Sequence, residues 1–355
     1  PSSVTGGIAT SPQVSSAMVK VRDRRLGWNG ADFAVGEWLE SQLASLDSEE
    51  ASQLERASLL ARRCQQIEPR VEDDWSALGD SFSAGLEMVQ ILVDLHVGAD
   101  SLVAGLLYRS VAEGKLELEL VEQEFGSKIA GLIRGVRRMS AISDLNINQD
   151  APVLGQADAQ KENIRKMLIS LVDDVRVALI KLAERTCAIR AVKDDPERRM
   201  PVAREVFDVY APLAHRLGIG HLKWELEDLS FRYLYHDSYH KIARLLDGKR
   251  LERDEFIERV KQQLRDLLCD RSIDGELTGR SKHIYSIWRK MQRKGIGFSQ
   301  VYDIRAVRIL VPEIKDCYAA LGVVHGLWRN IPNEFDDYIA NHKEHGYRSL
   351  HTEVI

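Results

Sequence analysis

The sequence predicts a multidomain protein: an all-α half followed by an α+β domain whose helices cover a mixed sheet. Three observations carry this. A chain of 355 residues exceeds what one hydrophobic core usually fills. From residue 33 to about 242 the apolar residues recur three and four apart, as in Leu168, Leu171, Val172, Val175, Leu179 and Leu182, which is the period of amphipathic helices. After about residue 249 short runs with β-branched residues appear, at 273–278 and 301–311, separated by helical stretches.

Taken in order, residues 1 to about 20 are rich in Ser, Gly and Thr with little to bury, and a disordered arm over 1–30 is expected. The helical half should break at 79–85, at 143–155 and at 194–201, with the helix before Pro201 stopping near Lys193. At Ala211-Pro212 and Gly218-Ile219-Gly220 the chain turns twice around a short helix and enters a long one over 221–235. A charged helix over 249–269 follows, then the first β-like run, a helix over 283–294, the second run and a helix over 318–328. Residues 349–355, SLHTEVI, begin like a strand.

Composition excludes several classes of protein. With 44% apolar and 29% charged residues, disorder, collagen and coiled coil are poor readings. A net charge of −5 argues against a surface made wholly for nucleic acid or anionic membrane. Cys64, Cys187, Cys269 and Cys317 have no C-x-x-C spacing, as reduced thiols in a cytoplasmic protein would. No stretch approaches the roughly 18 apolar residues of a membrane helix, and the start lacks a signal-peptide core, so a soluble protein without a membrane partner is expected.

Residues 278–295, TGRSKHIYSIWRKMQRKG, hold six Lys or Arg and no acid in 18 residues. On a helix, Ile284, Ile287, Trp288 and Met291 make the inward stripe, while Lys282, Ser286, Lys290 and Arg293 or Lys294 make a cationic row. Such a row suits a polyphosphate, whose oxygens take several charge-assisted bonds, though a solvated basic helix has the same pattern. Asp303, at the start of YDIRAVR, is the candidate Mg²⁺ ligand, because that ion takes one or two protein oxygens and fills the rest with phosphates and water. The alternative is a salt bridge to a nearby Arg. Arg308 stands at odd spacing from Asp303, so a regular strand sends the two to opposite faces. Residues 334–352 are dense in Asp, His, Lys and Tyr around Gly346 and read as a binding loop. There Tyr347 can stack on a base, Lys343 hold a phosphate and His351 reach a hydroxyl or phosphate, or His351 is an ordinary surface histidine. No Walker loop is present, and Gly218-Ile219-Gly220 lacks a third glycine.

GRSKHIYSIWRKM, YDIRAVRILV, EFDDYIANHKEHGYRSLHT and, upstream, VYAPLAHRLGIGHLKWELEDLSFRYL closely resemble the RelA/SpoT family of (p)ppGpp synthetases and hydrolases, from about Ala84 onward. The resemblance implies a degenerate HD-type helical domain over 31–215, linking helices over 216–245, and a synthetase domain related to nucleotidyltransferases over 246–355. The implied activity is that of a GTP diphosphokinase of the stringent response, which moves pyrophosphate from ATP to the 3′-hydroxyl of GTP or GDP with Mg²⁺. On that resemblance Arg280, Lys282, Ser286 and Lys290 hold ATP, with Ser286 and Lys290 among the catalytic groups beside the metal ligand Asp303. His283, Lys294 and Arg308 complete the substrate-binding set, and Lys343, Tyr347 and His351 form the guanine site with Tyr347 stacked on the base.

The chain departs from the family pattern at Ser281, where Pro is usual. It departs again at His342, Glu344, His345 and Arg348, where NPKPNGYQ has Pro, Pro, Asn and Gln. The sequence stops before the E-x-Q-x-R-T block, whose Glu is the family's second magnesium carboxylate. A catalytically incomplete regulatory or guanine-nucleotide-binding fragment is therefore the alternative reading. Family hydrolases bind Mn²⁺ through a His, a His-Asp pair and a later Asp. Aligned by LEMVQIL, AGLLYRSVAEG and KLAER, those positions are Ala84, Tyr108, Arg109 and Glu184. A cationic Arg109 would repel the metal, so no hydrolase activity is expected, and an i,i+4 pair with Glu113 fits the same conclusion. Glu334-x-Asp336-Asp337 resembles the acidic variant of synthetase-only members. Ribosome and uncharged tRNA are implied by the resemblance alone, through regulatory regions that these residues do not include.

Overall fold

The computed structural model describes residues 47–70, 80–147, 174–247, 250–301, 305–341 and 347–355. The expected arm over 1–30, most of the expected break at 143–155, Asp303 and Lys343 lie outside the described residues. The chain divides into two compact units, Val21–His236 and a second containing Asp237–Ile355.

The described part of the first unit is helical: α1 (Ser48–Cys64), α2 (Ser81–Asp94), α3 (Ala99–Ala112), α4 (Leu118–Phe125), α5 (Ser127–Ile147), α6 (Val175–Ala191), α7 (Pro196–Glu205), α8 (Ala211–Arg216) and α9 (Gly220–Leu234). Carboxylates start several of them, because the first amides of a helix lack partners within it. Asp47 accepts from the amides of Glu49 and Glu50 while Glu50 reaches back to the Asp47 amide, a capping box. Asp80, Asp174 and Asp195 cap α2, α6 and α7 by accepting from first-turn amides, without the reciprocal bond. The apolar stripes meet in one core in which Leu54, Leu86, Leu106, Ile133, Leu182 and Leu226 are fully buried.

Two expected breaks are corrected here. Gly85, placed in a break by its residue type, lies inside α2; a Cβ there would stand 2.4 Å from the Leu106 carbonyl oxygen, so the glycine marks the close approach of α2 and α3. The break at 194–201 shrinks to the 3₁₀ turn Val192–Asp194 and the cap Asp195, because Pro196 opens α7, where a missing N–H costs nothing. Pro201 sits within that helix, which widens beyond Glu205 into a π-turn, Val206–Tyr210.

The second unit holds α10 (His236–Asp247), α11 (Arg250–Asp270), β1 (Glu276–Ser281), α12 (Ile284–Lys294), β2 (Arg305–Leu310), α13 (Ile314–Leu327), β3 (Asn330–Asp337) and β4 (Leu350–Val354). β1 pairs antiparallel with β2, from Glu276↔Leu310 to Ser281↔Arg305. β3 pairs antiparallel with β4 through Phe335↔Thr352, Asp336↔His351 and Asp337↔Leu350, with a register shift between Asn330 and Phe335. The expected mixed sheet is thus corrected: the described strands form two separate antiparallel ladders. β-branched runs identify extended segments but carry no information on their direction.

Leu268 of α11 and Ala320 and Val323 of α13 make a small core, joined by Leu277 of β1 and Ile309 of β2. α11 lies close on β1, since a Cβ at Gly279 would stand 2.7 Å from Ile257 Cγ2. The glycine before Arg280 is therefore a packing requirement that fixes where the basic segment leaves the sheet.

Candidate active site

α12 places the basic segment. His283 is its extended N-terminal flanking residue, Ile284 and Ile287 are its buried stripe, and Gly295 ends it in the left-handed conformation with φ of +63°. Lys282 lies before the helix in the link from β1, so the cationic row loses its first expected member to that link. Lys290 and Lys294 stand one turn apart and reach the second ladder. Lys290 Nζ lies 3.2 Å from Glu353 Oε1 on β4, and Lys294 Nζ lies 2.8 Å from Glu334 Oε1 on β3.

Strand alternation sorts the rest of the β3–β4 ladder, because neighbouring residues point to opposite faces. On one face Thr352 and Phe335 meet α13: the Thr352 hydroxyl lies 2.8 Å from His325 Nε2, and the Phe335 ring meets His325 edge-on. On the other face His351 and Glu353 stand two residues apart. His351 Nε2 lies 2.9 Å from the Tyr347 hydroxyl, and the Tyr338 ring packs edge-on against His351 at 5.2 Å. Tyr347 and His351 are exposed. The turn after β3 is held by Asp337, whose Oδ1 accepts from the Ile339 and Ala340 amides at 2.9 and 2.7 Å and whose Oδ2 accepts from Tyr318 at 3.0 Å. The Ala340 amide in particular, then Ile339 and Tyr318, hold this carboxyl below its ordinary range.

Of the residues singled out from sequence, Lys290, Lys294, Tyr347 and His351 are brought around this face. Lys282, His283 and Ser286 line the start of α12 and are half-buried. Arg280 is on β1 opposite Ala306, and Arg308 is on β2 opposite Thr278, exposed. Sequence reasoning missed β3 itself, treating 334–352 as loop, and with it Glu353, Tyr338 and His325. Alternation along SLHTEVI would have put Glu353 on the His351 face.

In the helical unit, two of the four positions aligned with hydrolase metal ligands, Arg109 and Glu184, carry internal ion pairs. Arg109 pairs with Glu113, which Lys115 meets at 2.8 Å, with Arg109 and Glu113 each only 2% exposed. Glu184 accepts from Lys181 Nζ at 2.8 Å and from Arg185 Nη2 at 2.7 Å, and Arg185 also meets Glu205 at 2.7 Å. Lys181 donates to Ser140 Oγ at 2.8 Å, and the Tyr108 hydroxyl lies 3.0 Å from the same oxygen. Burial pushes the Glu184 carboxyl up, but Arg185 and Lys181 outweigh it and hold the group at about 2. Two cations and two carboxylates close this quartet with no net charge. Among the described residues no group of three or more His, Cys, Asp or Glu could hold a metal ion.

These two units match two known kinds of domain. Residues 57–220 match an HD domain, and residues 279–355 match a region found in RelA / SpoT proteins. A GTP pyrophosphokinase of Photobacterium angustum is 45% identical over 339 residues, which is 95% of this chain and 44% of that protein. The GTP pyrophosphokinase of Escherichia coli K12 is 47% identical over 272 residues, 76% of this chain and 36% of that protein. One of Streptomyces coelicolor is 38% identical over 304 residues, covering 85% and 34%. The chain belongs to the RelA/SpoT family, and it spans less than half the length of these curated relatives.

Proposed function

We propose that the second unit is a (p)ppGpp synthetase of nucleotidyltransferase type. The 3′-oxygen of GTP or GDP attacks the β-phosphorus of ATP, the bond to the oxygen bridging α- and β-phosphorus breaks, and AMP leaves. The observation that carries this reading is that one face of β4 bears both His351, with Tyr347 against it, and Glu353, which meets Lys290 of α12. A base stacked on Tyr347 and a triphosphate lying along Lys290 and Lys294 would thus be held beside the same face of β4, whose His351 and Glu353 are two strand residues or about 7 Å apart. In a loose, charge-rich phosphoryl transfer such positioning and charge neutralisation is most of what a protein can contribute.

Asp303 is proposed as the ligand of Mg²⁺, an ion that needs one or two protein oxygens and would neutralise charge on the phosphates. A single carboxylate a few residues before β2, in the unit that carries the cationic α12, has the chemistry for that role. Arg280, Lys282, His283, Ser286, Arg308 and Lys343 are proposed to complete the nucleotide contacts. For the first unit we propose a hydrolase fold without hydrolase activity. In support, Arg109 puts a cation at one of the four aligned positions, where a divalent ion would need an anionic or neutral ligand, and the carboxylate at another, Glu184, is already held by Lys181 and Arg185.

The test is production of (p)ppGpp from labelled ATP with GDP or GTP and Mg²⁺, by this chain and by one extended beyond residue 355, each beside Asp303→Ala. Synthesis lost in Asp303→Ala supports the assignment. If neither chain makes product while both bind guanine nucleotide, the enzyme reading gives way to a guanine-nucleotide-binding regulatory fragment.

A further inference from the structure

α12 carries a like-charge conflict, and the β3–β4 ladder carries the groups that answer it. Lys290 and Lys294 are four apart on one helix, where two ammonium groups repel. β3 and β4 offer one carboxylate each, Glu334 beside the paired residue Phe335 and Glu353 beside the paired residue Thr352. The structure resolves the conflict by setting Glu353 against Lys290 and Glu334 against Lys294. The inner pair is the better sheltered: the Lys290 side chain is 12% exposed and Glu353 26%, against 37% and 34% for Lys294 and Glu334.

Resting on the reading of α12 as the ATP-phosphate site, we propose that Glu353, seconded by Glu334, is an internal counter-ion that occupies the phosphate-binding lysines and must be displaced by the incoming polyphosphate. Glu353 is then a specificity-determining residue. A ligand with one phosphate can replace the carboxylate at one lysine only, whereas a triphosphate spans the single helical turn, about 5–6 Å, between Lys290 and Lys294 and replaces both. The site favours chains of phosphate because its resting state is already charge-matched, and not because it is simply positive. The carboxylates also hold both lysines in place before substrate arrives, which reduces the ordering required on binding.

The experiment is calorimetric titration of the whole chain with a non-hydrolysable ATP analogue, inorganic tripolyphosphate and AMP. The proteins are the parent, Glu353→Gln, Glu353→Asp, Lys290→Gln and the double variant Lys290→Gln/Glu353→Gln, with circular dichroism confirming the fold of each. Glu353→Gln is expected to tighten the ATP analogue and tripolyphosphate about two- to fivefold at low salt and to narrow their advantage over AMP. Glu353→Asp should return toward the parent. The tightening should vanish in the Lys290→Gln background, and it should shrink as salt is raised. Unchanged or weaker binding by folded Glu353→Gln overturns the counter-ion role while leaving the phosphate site standing. Full ATP-analogue binding by Lys290→Gln overturns the phosphate site itself, and so does absence of binding by every protein.

Discussion

Replacing Glu184 by glutamine should cost the helical unit far more than a surface substitution would. The carboxylate is 2% exposed and accepts from Lys181 at 2.8 Å and from Arg185 at 2.7 Å. Its displacement from an ordinary value of 4.5 to about 2 corresponds to about 3 kcal/mol of preference for the charged form. A glutamine removes that charge and leaves Lys181 and Arg185 facing Glu205 alone, a buried net positive site, so a loss of about 3–5 kcal/mol at pH 7 is expected. The pH dependence has a definite sign. Because the folded value is depressed, the contribution of Glu184 is fully present above about 4.5 and is lost as pH falls toward about 2. The stability difference between parent and Glu184→Gln should therefore be greatest near neutrality and narrow over that window. Urea denaturation followed by circular dichroism measures it, and hydrogen exchange of α6 amides localises it. The joint variant Lys181→Met/Glu184→Leu leaves Arg185 and Glu205 balanced and should recover most of the loss. A Glu184→Gln protein within about 1 kcal/mol of the parent at pH 7, or a difference that does not change with pH, would refute the reasoning.

Two further outcomes follow from single positions. Gly85→Ala pushes a methyl to 2.4 Å from the Leu106 carbonyl oxygen, a backbone atom that cannot swing aside, and should cost about 1–3 kcal/mol in thermal or urea unfolding. Tyr347→Ala should weaken guanine-nucleotide binding by about 1–3 kcal/mol in a fluorescent-nucleotide titration, while Tyr347→Phe should keep most of the stacking and lose only the hydroxyl contact to His351.

The helical half was the more legible part of the sequence because a 3.6-residue period and Asp caps are local signals. Asp47, Asp80, Asp174 and Asp195 each stand just before the helix they begin. Gly85 was misread because a glycine required by a neighbouring backbone looks, in one dimension, like a glycine required by a turn. The basic composition of 278–295 pointed to α12, and the Tyr and His of the last segment pointed to the exposed face of β4. β3 was not legible: NIPNEFDD contains Pro, two Asn and two Asp, residues depleted from strands, and the segment is extended because β4 pairs with it. The pairings of Lys290 with Glu353 and Lys294 with Glu334 span 63 and 40 residues, and no local pattern announces a partner that distant.

Arg190 sits on α6, only 5% exposed, and grips Glu87 of α2 on one side and Glu225 of α9 on the other. Those partners are 103 residues before it and 35 after it. Such a clasp closes only when the earliest and latest of these helices have both arrived, so it belongs to the final stage of folding. Once closed it also removes the easy route of disassembly, in which a helical array peels from one end. A bundle fastened across its own length opens as one block, and that unity keeps the helices between its two fastened ends from loosening singly.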